Sequence, residues 1–150
     1  MVVRDKDLLA DIFRRTRSTV TMNIPTVDEE AWHKLEPGPP PAPALAGGSG
    51  AEGRRGLRGV LMAPIVPGIT SHPAKLERTI KAIVDHGATY VGGLVMHLEG
   101  GTRDHFLGFL QREFPNLVER YGHLYAGKCP SRSYTQRVRV ILGTLRARYG

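Results

Sequence analysis

The chain has a single cysteine, Cys129, among its 150 residues. No internal disulfide can form, and no cluster of thiolates within this chain can hold a metal. It also lacks any apolar run long enough to cross a bilayer, and its first residues, MVVRDKDLLAD, carry charge where a secretory signal needs an apolar stretch. These absences predict a soluble, cytoplasmic protein with no membrane contact. Aromatic residues make up only 7%, and no helix-turn-helix, zinc-finger or RNA-binding signature is present, which argues against sequence-specific reading of nucleic acid. The glycine-rich fingerprints of P-loop and Rossmann sites are missing too. His72, His86, His97, His105 and His123 never fall at H-x3-H or HExxH spacing on one element, so they are expected on the surface or at caps and no metal site is expected. Cys129 sits beside Pro130 with no local base, as an inert thiol would.

What is present suffices for one core. The hydrophobic content is 41%, and 21 lysines and arginines against 14 aspartates and glutamates give a net charge of +7. Such a balance suits polyanionic partners or simple solubility. Residues 5–17 read as a helix capped by Asp5, with Leu8, Leu9, Ile12 and Phe13 on one face and arginines at its C-terminal end. Residues 19–24 alternate strictly, Val20, Met22 and Ile24 against Thr19, Thr21 and Asn23. Thr26-Val27-Asp28-Glu29 has the form of a capping box and starts a short helix that stops at Glu36-Pro37-Gly38. The segment 39–56, PPPAPALAGGSGAEGRRG, has almost nothing to bury and reads as a flexible loop.

After it comes an apolar strand at 59–66, then a helix over about 73–86 with Pro73 in its first turn and Gly87 as its stop. A second apolar strand follows at 89–97. Strand, helix and strand with short joints predict a βαβ unit in a parallel sheet whose strands are apolar because both faces are covered. The remainder is helical at 102–114, 115–125 and 134–149, the last opened by Ser133-Tyr134-Thr135-Gln136. Arg137, Arg139, Arg146 and Arg148 flank its apolar face on both sides, as on a packed amphipathic helix, rather than gathering into one stripe. The expected fold class is therefore α/β, with about three parallel strands, flanking helices and a helical C-terminus.

Ligands of parallel α/β folds sit at the C-terminal ends of strands. Three such ends stand out: Asn23-Ile24-Pro25-Thr26, Pro64-Ile65-Val66-Pro67-Gly68-Ile69-Thr70, and His97-Leu98-Glu99-Gly100-Gly101. Prolines there fix φ and withhold donors, which either just ends a strand or holds backbone ready for a flat ligand. If the strands curve into a barrel, the polar side of 19–24 points inward, where it calls for a ligand or water.

The order TVTMNIPTVDEEAWHKLEPG, then GVLMAPIVPGITSHPAKLERTIKAIVDHGATYVGGLVMHLEGGTRDHFLGFLQREFPNLVERYGHLYAG, resembles the C-terminal half of radical S-adenosylmethionine proteins similar to spore photoproduct lyase. LMAPIVPGIT and HLEGGTRDHFL are its most specific parts. The resemblance implies strands four to six of a partial (β/α)6 barrel, formed by 1–38 and 57–126, with 39–56 as a flexible insert or linker and 127–150 as a C-terminal amphipathic helix. It implies S-adenosylmethionine and a [4Fe–4S] cluster as cofactors, the cluster held by a CxxxCxxC loop that this chain lacks. The cofactor-binding residues it suggests are Asn23 near the ribose, where relatives often have serine, Ile65 and Val66 beside the adenine, and His97 at the last strand's end. It suggests no catalytic residue. On this reading the chain is a truncated or split enzyme domain, inactive unless a missing N-terminal half or a separate chain brings the cluster, and DNA is a partner by resemblance. Relatives place an Arg-rich helix where 39–56 stands, so that segment reflects either divergence or a stretch read in a shifted frame. Two other readings stand beside this one: a non-enzymatic basic module that binds nucleic acid, and a fragment of another α/β barrel with a phosphate-binding role resting on Gly92-Gly93 and Gly100-Gly101. Half a barrel leaves an exposed edge and apolar surface, and is expected to associate or aggregate by itself.

Overall fold

The computed structural model describes residues 6–16, 20–36, 38 and 57–149. The expected cap at Asp5 and the loop at 39–56 lie outside them. The described elements are α1 (Lys6–Arg15), β1 (Val20–Asn23), α2 (Glu29–Leu35), β2 (Leu57–Ile65), α3 (Pro73–Asp85), β3 (Tyr90–Val95), α4 (Gly100–Glu113), a 3-10 turn (Pro115–Leu117), α5 (Val118–Leu124) and α6 (Arg132–Tyr149). The strands form one parallel sheet in the order β1-β2-β3. This is the α/β class expected from the βαβ pattern. No helix among the described residues is long and apolar enough to cross a membrane.

Strand periodicity decides which side of the sheet is covered. Val60, Met62 and Ile65 of β2 and Val91 and Val95 of β3 face one way and are buried with Leu76, Ile80 and Ile83 of α3 and Val138, Leu142 and Leu145 of α6. Gly93 permits α6 to come this close, since a Cβ there would lie 2.7 Å from a Leu142 methyl carbon and 3.0 Å from one of Ile65. The two helices are joined at their edge by Glu77, which accepts from Arg148 at 2.8 Å and from the Tyr149 hydroxyl at 2.7 Å. These two donors hold the Glu77 carboxyl below its ordinary pKa.

A second apolar cluster closes the C-terminal ends of the strands. Ala31 of α2, Val66 and Ile69 after β2, Met96 and Leu98 after β3, Leu110 of α4, Tyr121 of α5 and Tyr125 just after it pack together. Two element starts differ from expectation. Asp28, not Thr26, caps α2, its carboxylate accepting the Ala31 amide at 3.0 Å. Thr26 accepts the Asp28 amide at 3.1 Å, so its hydroxyl serves the turn leading into the cap. Lys75, 3.0 Å away, and Arg78, 3.5 Å away, supply charge to Asp28 from α3, which is the tertiary reason the cap falls there. The last helix begins at Arg132, two residues before the expected start, and the Thr135 amide donates to Ser131.

Candidate functional site

The side of the sheet away from α3 and α6 is exposed. Thr21 and Asn23 of β1 point there, beside half-buried Leu61 and Ala63 of β2 and, on β3, Tyr90 and Leu94, which are 58% and 54% exposed. Glycine directions fix the geometry: a Cβ on Gly59 would meet Thr21, and one on Gly92 would meet Leu61 and Tyr90. The expectation that both faces of the sheet are covered is thus not met among the described residues. The polar side of β1 and the second apolar side of β2 and β3 together form an open face.

The strand ends are organised differently from a set of free loops. After β2, whose Ala63–Pro64 peptide is cis and whose pairing shifts register between Met62 and Ile65, the chain turns back on itself. The Val66 amide donates to the Thr70 hydroxyl at 2.8 Å, the Val66 carbonyl accepts from the Ile69 and Thr70 amides, and Gly68 supplies the positive φ of 76° that the turn requires. Tyr121 donates its hydroxyl to the Pro67 carbonyl at 2.7 Å, and Tyr125 donates to the Met96 carbonyl at 2.8 Å. Burial, with the neighbouring tyrosines, pushes both phenols well above their ordinary pKa, so they remain donors throughout the neutral range. At the start of α4, Arg103 of the HLEGGTRDHFL segment donates to the carbonyls of Gly127 and Tyr125 at 2.9 and 3.1 Å. The two most distinctive sequence segments therefore meet across one hydrogen-bonded cap over the strand ends.

The expected site residues separate into two groups in this setting. Ile65 is fully buried against α3 and α6, and Val66 is 2% exposed beneath Tyr121 and its neighbours. Neither side chain reaches the open face. The irregular register between Met62 and Ile65 turns Ile65 to the helix side. Asn23 is exposed on the open face, and its side-chain oxygen accepts the Ala63 amide at 3.2 Å, carrying the β1–β2 contact to the end of the strand. His97 is exposed beyond the end of β3. Asn23 pairs with Leu61, whereas β3 ends at Val95 opposite Ile65. Two strand spacings and about five residues of strand rise therefore place Asn23 and His97 roughly 19 Å apart.

Sequence reasoning missed Leu61, Ala63, Tyr90 and Leu94 as surface-forming residues. β2 is apolar on both sides, so its pattern alone could not tell the open side from the covered one. Among the described residues no group of His, Cys, Asp or Glu side chains is assembled to hold a metal ion. The geometry defines a parallel α/β protein with a helical layer on one sheet face, a sealed cap at the strand ends and an exposed second face. No family model matches the chain and no solved structure matches it. It is 32% identical over 148 residues to uncharacterized proteins of Mycobacterium bovis and of two strains of Mycobacterium tuberculosis, an alignment that takes in 97% of this chain. The chain spans 44% of the length of these curated relatives.

Proposed function

We propose that this chain is the strand four to six portion of a radical S-adenosylmethionine barrel similar to spore photoproduct lyase, and that its open sheet face is the inner wall of that barrel. The observation that carries the reading is the open face itself. An apolar and hydroxyl-bearing surface on an otherwise packed parallel sheet needs a cover, and the greater part of the relatives' length lies outside the match with this chain. The sequence resemblance supplies the identity of the cover, a CxxxCxxC-bearing half that pairs along the outer edge of β1.

The residues present bear unequally on the implied cofactors. A [4Fe–4S] cluster needs several thiolates, and exposed Cys129 is the chain's single cysteine, so the cluster does not fit here and no step through it belongs to this chain. For S-adenosylmethionine, Asn23 offers a side-chain amide on the open face beside Ala63. The apolar neighbours of an adenine come from Leu61, Ala63 and Pro64, which are not sealed in the core, in place of Ile65 and Val66. The role of the chain in this reading is to bind and orient, with Tyr121 and Tyr125 keeping the strand ends fixed while the other half brings the redox chemistry.

The experiment is to sequence the DNA preceding the codon for Met1 and to co-express any CxxxCxxC-encoding segment found there with this chain under anaerobic conditions. The proposal expects a stable complex with iron–sulfur absorbance that forms 5′-deoxyadenosine from S-adenosylmethionine, and loses most of that activity with Asn23→Ala. Absence of such a segment, or a complex that binds no S-adenosylmethionine, overturns it.

A further inference from the structure

We propose that the outer edge of β3 is a docking site for an extended acidic peptide, which adds to the sheet as a strand and is held by Arg132 and Arg139. The inference does not depend on the reading above, because this edge lies on the far side of the sheet from β1 and is formed wholly within the described residues.

Backbone direction alternates along a strand. The Met96 amide donates inward to the Ile65 carbonyl of β2, while the Val91 carbonyl points outward and accepts Arg146 of α6 at 3.1 Å. By the same alternation, Gly93 and Val95 turn both their N–H and C=O groups outward. Neither finds a hydrogen-bond partner on that side among the described residues. Proteins ordinarily blunt such an edge, and here Arg146 of α6 does so at Val91. Beyond that point a groove of about 740 Å³ opens between the edge and the first half of α6. Its volume lies within the range of ligand-holding clefts, ~300–1,000 Å³.

The lining selects the occupant. Gly93 and Val95 form one wall, His97 and Gln136 stand at the rim, and the charged lining residues are Arg132 and Arg139, with no aspartate or glutamate among them. Both arginines are exposed and neither forms an ion pair among the described residues. Outward N–H donors and C=O acceptors repeating every two residues, about 6.6 Å, match another peptide backbone, whereas the phosphates of a nucleic-acid strand only accept and leave the outward carbonyls without donors. Acidic side chains on such a peptide would meet the guanidinium groups in the paired geometry arginine favours.

The test is fluorescence polarisation with a labelled octapeptide of alternating glutamate and valine. Saturable binding is expected. It should weaken at least tenfold with the Arg132→Glu/Arg139→Glu double variant, with lysine in place of glutamate in the peptide, and with a fully N-methylated peptide that keeps its charge but has no backbone donors. Absence of binding overturns the proposal. So does an N-methylated peptide that binds undiminished, which would make the groove a basic patch only, or a single-stranded oligothymidylate that displaces the peptide at equal concentration, which would make it a nucleic-acid surface.

Discussion

Tyr121 and Tyr125 carry more of the architecture than their positions in the sequence suggest. Each buries a ring in the cap cluster and spends its hydroxyl on a strand-end carbonyl, Pro67 and Met96 respectively. Replacing Tyr121 with phenylalanine keeps the ring and leaves the Pro67 carbonyl buried without a partner, a loss of about 1–3 kcal/mol. Urea unfolding should show this as a lower midpoint. Tyr90→Phe, at an exposed position on the open face, should change stability by no more than about 0.5 kcal/mol. If the two substitutions were equally mild, the cap would not be what fixes the strand ends. No local pattern announces this role, because the bonds join residues 54 and 29 apart in the chain. The prolines and Gly68 of VPGIT signalled that a strand stops. Whether the stop opens to a ligand or is sealed was decided by tyrosines in another element.

Helices and strands were legible where the periodicity was strong. The face of α3 that holds Leu76, Ile80 and Ile83, its stop at Gly87 with φ of 84°, and the alternation of β1 all follow from residue pattern and stereochemistry. The start of α2 was not, since Thr26 and Asp28 are both competent caps and the choice fell to Lys75 and Arg78 on a distant helix. That choice has a pH signature. Burial raises the Asp28 pKa, but the Ala31 amide, the hydrogen bond and charge of Lys75, and the charge of Arg78 together outweigh it, so the folded value lies below the ordinary 3.8. A carboxyl whose pKa is depressed by folding contributes stability that is complete above its unfolded pKa and is lost as the pH falls through the folded value. Asp28→Asn should therefore destabilise the protein at pH 7 by about 1–2 kcal/mol, the difference between hydrogen bonds to a charged and a neutral acceptor. The gap between variant and parent should narrow as the pH falls below about 4. A gap of constant size down to pH 3 in urea titrations would show that Asp28 acts as a cap alone, without its charge.

At the scale of the whole molecule, the sequence foretold a parallel α/β sheet and three strand ends, and two of the expected contact residues proved to be core. Asn23 stands on the open face of β1 and His97 lines the groove beside α6 beyond β3, so no compact site assembles around them. In the proposed half-barrel this face, with Tyr90 and Leu94 exposed among Thr21, Asn23, Leu61 and Ala63, is covered by protein lying outside this chain. Exposed apolar surface of that kind drives association in water. The most direct test is sedimentation velocity on the purified chain by itself over a wide range of concentration. The account predicts concentration-dependent association that Leu94→Glu abolishes or sharply reduces. A parent chain that stays monomeric throughout would contradict it, because the open face would then be a finished surface.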